Sequence, residues 1–290
     1  MSCRLTILAS GSSGNCSCIE TETTRLLVDA GLSGRQIEER LATIGRSVAD
    51  FHGILVTHEH SDHVQGLRVL ASRHRIPIFA NRLTRQAVLA SAELQSSVAA
   101  GKAGALDWRL FESGQHFAVG DFDVEAFTIP HDAADPVGFV IHHGDRHVAF
   151  LTDLGHMTHL TLQRAKQADT LILETNHDLR LLQDDPHRPW SVKQRIGGRH
   201  GHLSNEAAAA ALAEIMSAQL RHVYLSHLSQ DCNRPELAEA TICKKLNELG
   251  ATHVRVTVAG PHRPCPTEIL EPLRVSLTET LPLFTQAGLR

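Results

Sequence analysis

The sequence is short of several things that would settle its class early. No apolar run approaches the roughly 20 residues that a helix needs to cross a bilayer, so no membrane-spanning helix is expected. The first residues, MSCRLTILASGSSGN, hold one Arg and a brief apolar stretch that runs straight into Gly and Ser. A signal peptide needs a longer apolar core before its cleavage site. The segment therefore reads as a first β-strand, and a cytoplasmic protein is expected. The six cysteines (Cys3, Cys16, Cys18, Cys232, Cys243 and Cys265) include no C-x-x-C pair, which fits a reduced compartment better than a disulfide framework. Excess positive charge is absent too. The formal net charge is −4, which argues against a purely electrostatic nucleic-acid binder but leaves room for a local basic patch. There is no internal repeat, low-complexity tract or long linker. What remains is a chain of 290 residues, 42% apolar and 21% charged, enough to bury one substantial core. Its unusual feature is 20 histidines, and His is the commonest ligand of borderline transition metals.

Strand-like apolar runs occur at Arg4–Ala9, Arg25–Asp29, Gly53–Thr57, Phe122–Ile129, Val137–His142, His147–Leu151, Thr170–Glu174, His222–Ser226 and His253–Val258. Helical patterns fall between them at Gly34–Ile44, Gln65–Arg73, Arg82–Ala90, Thr158–Ala168, Asn205–Met216 and Pro235–Leu249. This alternation predicts an α/β layered fold with helices covering sheets. The stretch from Leu106 to Leu151 reads instead as consecutive strands separated by Gly-Asp and Asp-Pro turns. That adds hairpins which a purely doubly wound parallel sheet lacks. Periodicity fades after about Pro266. One domain over 1–265 is therefore expected, with 266–290 as an appended strand or tail packed on it or trailing it.

The strongest local signal is Thr57-His58-Glu59-His60-Ser61-Asp62-His63, placed between the strand Gly53–Val56 and a helix starting near Val64. Four metal-type side chains crowd one strand-to-helix turn. A single tetrahedral zinc needs about four ligands, so further ligands from elsewhere would imply two metals.

THEHSDH resembles the signature motif of the metallo-β-lactamase superfamily, and the resemblance extends along the chain from about Leu5 to Val258. Asp29, in LVDAG, sits where that superfamily has its early strand-ending aspartate. His131 in IPHD, Asp153 in LTDLG and His227 in LSHLS follow in the order of its later ligands. The resemblance implies a four-layer αββα sandwich with two divalent metal ions (zinc, manganese or iron) at one edge. One metal would take His58, His60 and His131. The other would take Asp62, His63 and His227, with Asp153 bridging. The physical reading agrees: His131, Asp153 and His227 each follow an apolar strand and could reach one sheet edge. Two cations would yield a bridging hydroxide as nucleophile and stabilise developing charge, and Asp62 could orient that hydroxide as catalytic residue. No Cys stands at a ligand position, unlike β-lactamases with a Cys on the second metal.

Finer boxes narrow the resemblance. SGSSGN after the first strand, ETNHD from Glu174, GHLSN from Gly201 and LSHLS from Leu225 are similar to the YycJ (WalJ) subfamily, which implies an exonuclease acting 5′ to 3′ on double-stranded DNA. Cys232 stands where that pattern carries Asn. The residues themselves offer support for a phosphodiester substrate. The segment from Pro186 to Asn205 holds Arg188, Lys193, Arg195 and Arg199 with no acidic residue, plus Trp190. Such a basic loop could seat a backbone and stack a base, although composition alone allows an ordinary solvated loop. Candidate substrate contacts are Ser12 and Asn15 of the SGSSGN turn, Asn176, Arg195, Arg199, and Ser204, which opens a helix whose N-terminal amides favour anions. His202 is the candidate general acid or phosphate contact. The interval between Asp153 and His227 leaves no room for the large insert of β-CASP nucleases. Two other readings stand beside this one. A small-molecule hydrolase for a thioester, lactone or cyclic phosphodiester would need an apolar pocket, and a metal- or DNA-binding protein would have no turnover. A DNA-repair protein is an open candidate partner.

Overall fold

A computed structural model describes residues 2–91 and 106–270. The first sheet is built from β1 (Cys3–Ala9), β2 (Cys16–Glu20), β3 (Arg25–Val28), β4 (Gly53–Leu55), β5 (Ile78–Asn81) and β6 (Trp108–Phe111). The second contains β7 (His116–Val119), β8 (Phe122–Thr128), β9 (Val137–His143), β10 (Arg146–Leu151), β11 (Thr170–Glu174), β12 (His222–Ser226) and β13 (Arg255–Val258). A last strand, β14 (Glu268–Leu270), returns to the first sheet and pairs antiparallel with β1. The rest of the expected tail, beyond Leu270, lies outside the described residues.

The strand orders are β14-β1-β2-β3-β4-β5-β6 and β13-β12-β11-β10-β9-β8-β7. In these orders the first sheet is antiparallel through its first three pairings and parallel through its last three, and the second is parallel through its first three and antiparallel through its last three. The hairpins expected in the middle of the chain are β7 to β10, and the parallel strands are those joined through helices, since a parallel return needs a crossover.

Strand alternation sorts the side chains into three apolar layers. Leu26, Val28, Leu55, Phe150, Ile172 and Tyr224 point between the sheets. Leu27, Ile54 and Val56 point outward beneath α1 (Gly34–Thr43) and α3 (Leu67–His74), meeting Ile37, Leu41, Leu67 and Leu70. Leu171, Leu173, Val223 and Leu225 point outward on the other side, beneath α8 (Asn205–Ile215) and α9 (Pro235–Glu248). The result is the αββα sandwich. Between these elements lie α2 (Ser61–Val64), α4 (Arg82–Ala90), α5 (His159–Ala165), α6 (Leu179–Asp184) and α7 (Trp190–Ile196). The segment read as a basic loop is corrected here: Trp190–Ile196 is a two-turn helix opening after Pro189. Its side chains bury nothing fully, so it left no amphipathic trace in the sequence. β2 and β5 were likewise absent from the sequence reading. Every cysteine is a free thiol. Among the described residues no helix is long and apolar enough to cross a membrane.

Candidate metal centre

The parallel strands of both sheets end at one edge, and the residues just past those ends build the site. Asp29 follows β3, Asp153 follows β10 and His227 follows β12. All three hold the left-handed backbone, with φ of 61°, 55° and 55°. Non-glycine residues adopt that region at a cost and chiefly where surroundings enforce it. The loop from Thr57 to α2 crosses the same edge. Gly31 lets it approach: a Cβ at that position would fall 1.6 Å from the Asp62 carbonyl oxygen.

Hydrogen bonds fix which imidazole nitrogens face inward. His63 Nδ1 donates to Asp29 Oδ2 at 2.7 Å, and His227 Nδ1 donates to Glu174 Oε1 at 2.8 Å. His131 Nδ1 donates to the Gly201 carbonyl at 3.0 Å. Thr57 Oγ1 donates to the Asp29 carboxylate, so its lone pair is left to accept from His58 Nδ1 at 3.0 Å. In all four rings Nε2 is the nitrogen turned toward the neighbouring donors of the site.

These atoms gather in two groups. His58 Nε2 lies 3.0 Å from His60 Nδ1, which lies 3.3 Å from His131 Nε2. Asp62 Oδ2 lies 3.3 Å from His227 Nε2 and 3.7 Å from His63 Nε2. Asp153 stands between the groups, with Oδ2 at 2.9 Å from His63 Nε2 and Oδ1 at 3.8 Å from His131 Nε2. Donors about 2.1 Å from one tetrahedral ion are spaced by about 3.4 Å, so this spacing suits one divalent cation in each group. A second observation agrees: Asp153 Oδ2 is buried and meets only the His63 imidazole, without a well-formed hydrogen bond, and a buried carboxylate so placed is stabilised by a cation. The seven residues expected to ligate are thus brought together as two neighbouring donor sets.

The electrostatics differ between the sets. Burial, followed by repulsion from His63 and the neighbouring imidazoles, drives the His58 pKa well below its ordinary value. Burial lowers that of His131 also. Both rings are therefore neutral imidazoles with a lone pair to offer a cation. Burial opposes charge on His63 as well, yet Asp153 and Asp29 raise its pKa well above the ordinary value. For His227 the same contest, won by Asp153, Asp62 and Glu174, ends at about 10. Glu174 itself would be raised by burial, but His202 and His227 hold it at about 2. Carboxylates that pull protons this strongly onto imidazoles pull a metal cation by the same field.

Glu174 is the residue that sequence reasoning missed as part of the centre. It closes the buried strand TLILE and accepts from His202 Nδ1 at 2.8 Å, Leu154 N at 2.7 Å and Leu203 N at 3.1 Å. A carboxylate ending the buried run Leu171-Ile172-Leu173 is itself a signal, because buried charges require partners. Asp29 stood out by position, but its bond to His63 did not.

A cavity of about 230 Å³ opens over the centre. His60, Asp62, His131, Asp153 and His227 form its floor, and Ser12, Arg195, His200 and His202 stand in its wall, where Ile196 is the one apolar side chain. Of the expected substrate contacts, Ser12 and Arg195 reach this cavity. Arg199 sits outside it, 3.2 Å from His156 Nε2. The other three are engaged inside the protein. Asn15 Nδ2 lies 3.1 Å from His63 Nε2 and its Oδ1 accepts from Gly11 N. Asn176 Nδ2 donates to the His227 carbonyl at 2.8 Å. Ser204 caps α8 by accepting from Ala207 N. The basic segment is also less free than its composition suggests, since Arg188 pairs with Asp185 and with Asp231.

Known proteins resemble the chain over most of its length. The family described as "Beta-lactamase superfamily domain" matches residues 24–228. An exodeoxyribonuclease YycJ of Bacillus anthracis is 38% identical over 250 residues, covering 86% of this chain and 91% of its own. An exodeoxyribonuclease WalJ of Streptococcus pneumoniae is 39% identical over 243 residues, covering 84% and 88%. Among solved structures, the metallo-β-lactamase fold protein YhfI of Bacillus subtilis matches with a TM-score of 0.64 at 14% identity, over 91% of this chain and 99% of its own. Zn(2+)-bound PqqB of Methylobacterium extorquens matches with the same score at 18% identity, over 90% and 99%. At such identities these two establish the fold alone.

Proposed function

Because the chain belongs to the beta-lactamase superfamily and is a metallo-hydrolase of the kind that includes the YycJ and WalJ exodeoxyribonucleases, we propose that it removes nucleotides from duplex DNA in the 5′ to 3′ direction. The observation that carries the reading is the pair of donor sets joined by Asp153 beneath a polar, open cavity with Arg195 in its wall. His58, His60 and His131 would hold one divalent cation, Asp62, His63 and His227 the other, and Asp153 both. Zinc, manganese and iron all suit imidazole and carboxylate donors. Bound there, the two cations would supply an activated water and neutralise charge at the phosphodiester.

The chain's own groups do the rest. Asp62 is a cavity-facing carboxylate, held ionised against burial by hydrogen bonding to His227, and it can orient the attacking water. His202 gives Nδ1 to Glu174, which leaves Nε2 as its free nitrogen on the cavity wall. Burial opposes a proton on His202, but Glu174 raises its pKa, so the ring can donate to the leaving oxygen or to a phosphate. Arg195, Ser12 and His200 offer donors to the phosphates. The mainly polar lining, with Ile196 its one apolar side chain, disfavours the thioester or lactone alternative, which needs an apolar pocket.

The test is degradation of end-labelled duplex DNA by metal-reconstituted protein, beside Asp62→Ala and a thioester and lactone panel. Metal-dependent release of nucleotides from one end, lost in the variant, is expected and reveals the polarity. Inert DNA with a turned-over thioester or lactone overturns the proposal.

A further inference from the structure

The outer face of the second sheet carries another convergence of metal-type donors, at the end remote from Asp153. Strand register builds it: His116 on β7 is opposite Glu125 on β8, Asp123 on β8 is opposite His142 on β9, and His142 is opposite His147 on β10. His116 Nδ1 lies 3.0 Å from Asp123 Oδ2, and the rings of His116 and His142 stack with centroids 5.8 Å apart. One ligand-type atom from each of His116, Asp123 and His142 lies within 4.8 Å of the other two. His147 Nδ1 approaches His142 Nδ1 to 2.6 Å, and Glu125 lies 3.7 Å from His116 Nε2 and 3.9 Å from His142 Nε2.

Charge and hydrogen bonding both leave the group receptive to a cation. Arg164 of α5 compensates Glu125 at 2.6 Å, whereas Asp123 faces the imidazole of His116. His142 Nε2 is buried without a hydrogen-bond partner. Burial and then His147 lower the His142 pKa, so its lone pair is available at neutral pH. If His142 Nδ1 donates to His147, the pattern is one that metal-binding imidazoles commonly show, with the second nitrogen anchored by a neighbour.

We propose that His116, Asp123 and His142 form a further divalent-cation site of the imidazole–carboxylate type that takes zinc, with Glu125 and His147 orienting the imidazoles. The site is separate from the centre beneath the cavity: β8 runs from Asp123 through Thr128 before His131 is reached, on the order of 20 Å at about 3.3 Å per residue. Its position suggests its use. β7 is the four-residue edge strand of its sheet, and a cation shared with β8 and β9 clamps that edge where backbone pairing is one-sided.

Equilibrium dialysis of the full chain against buffered free zinc, followed by metal analysis, tests this directly. The double variant His116→Ala/His142→Ala should bind one zinc fewer per chain than the unaltered protein and keep its nuclease activity. Asp123→Asn, which preserves side-chain shape, should lose the same equivalent even if the double variant folds poorly. Unchanged zinc content in Asp123→Asn overturns the proposal. Hydrogen exchange gives a readout without substitution: zinc should slow exchange at His116–Val119 in an Asp62→Ala background as well. Exchange there that ignores zinc also overturns it.

Discussion

In the subsite of His58, His60 and His131 the anchored imidazoles lean on neutral oxygens, Thr57 Oγ1 and the Gly201 carbonyl. In the subsite of Asp62, His63 and His227 they lean on buried carboxylates, Asp29 and Glu174. The donor atoms are alike, but the fields behind them are not. The second subsite carries Asp62 and both supporting carboxylates, so it should hold its cation more tightly. Both reach the cavity, but the first lies beside Arg195, which stands 3.8 Å from Asp132, the residue after His131. We propose that the centre divides into an anchored half and a substrate-facing half beside Arg195, with Asp153 common to both.

That shared carboxylate gives the largest expected effect. Asp153→Asn keeps the shape but removes the charge facing both donor sets. Turnover of end-labelled duplex should fall by at least about 10²–10³-fold, the scale of losing one preorganised electrostatic contact. Metal analysis should show fewer than two ions per chain at the centre. Full turnover with both ions retained would separate the subsites and break the comparison.

His202 comes next. It lies on the cavity wall and touches Glu174, so His202→Ala should lower kcat by about 10²-fold, the lower range for a proton-transfer group. Metal content should stay unchanged. Steady-state kinetics beside metal analysis checks this, and undiminished kcat and binding would eliminate the role. Glu174→Gln should act differently. It withdraws the charge behind His227, and support of this kind is worth about 10–100-fold in metal affinity. Titration with a competing chelator should remove the ion of the first subsite first from the unaltered protein. In Glu174→Gln the two ions should leave closer together. If the unaltered protein gives up its anchored ion first, the assigned asymmetry is reversed.

How much of this was legible in the sequence depends on the range of the signal. The Thr57–His63 cluster is local, so seven consecutive residues announced it. His131, Asp153 and His227 follow apolar strands, and a sheet edge was their natural meeting place. The α/β layering showed in the same alternation, but β2 did not, because all five of its residues are buried and no polar face marks it. Glu174 was legible as a strand-ending carboxylate and not as a partner. Its contacts to His202 and His227 lie 28 and 53 residues away, across strand pairings that no local pattern encodes. The helix Trp190–Ile196 was hidden by the prolines before it, the Gly197-Gly198 pair after it and its lack of a buried face. Asn15, Asn176 and Ser204 sit in polar boxes beside the site, where composition does not distinguish a group facing substrate from one holding a ligand in place.

The smallest effect lies on the rim of the substrate-facing half. Arg195 is largely exposed and stands 3.8 Å from Asp132, the residue after His131, so its guanidinium is only weakly satisfied by the protein. A single phosphate contact at such a position contributes mainly through counterion release, which lowers the slope of log affinity against log salt by about one per contact. Arg195→Ala should therefore raise KM for duplex DNA a few-fold at moderate salt, lower that slope by about one, and leave kcat and metal content alone. Binding measured across a salt series with a hydrolysis-resistant duplex end separates this from a loss of catalysis. An unchanged slope would mean that the DNA backbone does not pass over the wall beside the first subsite. The distinction between the halves would then rest on metal affinity alone.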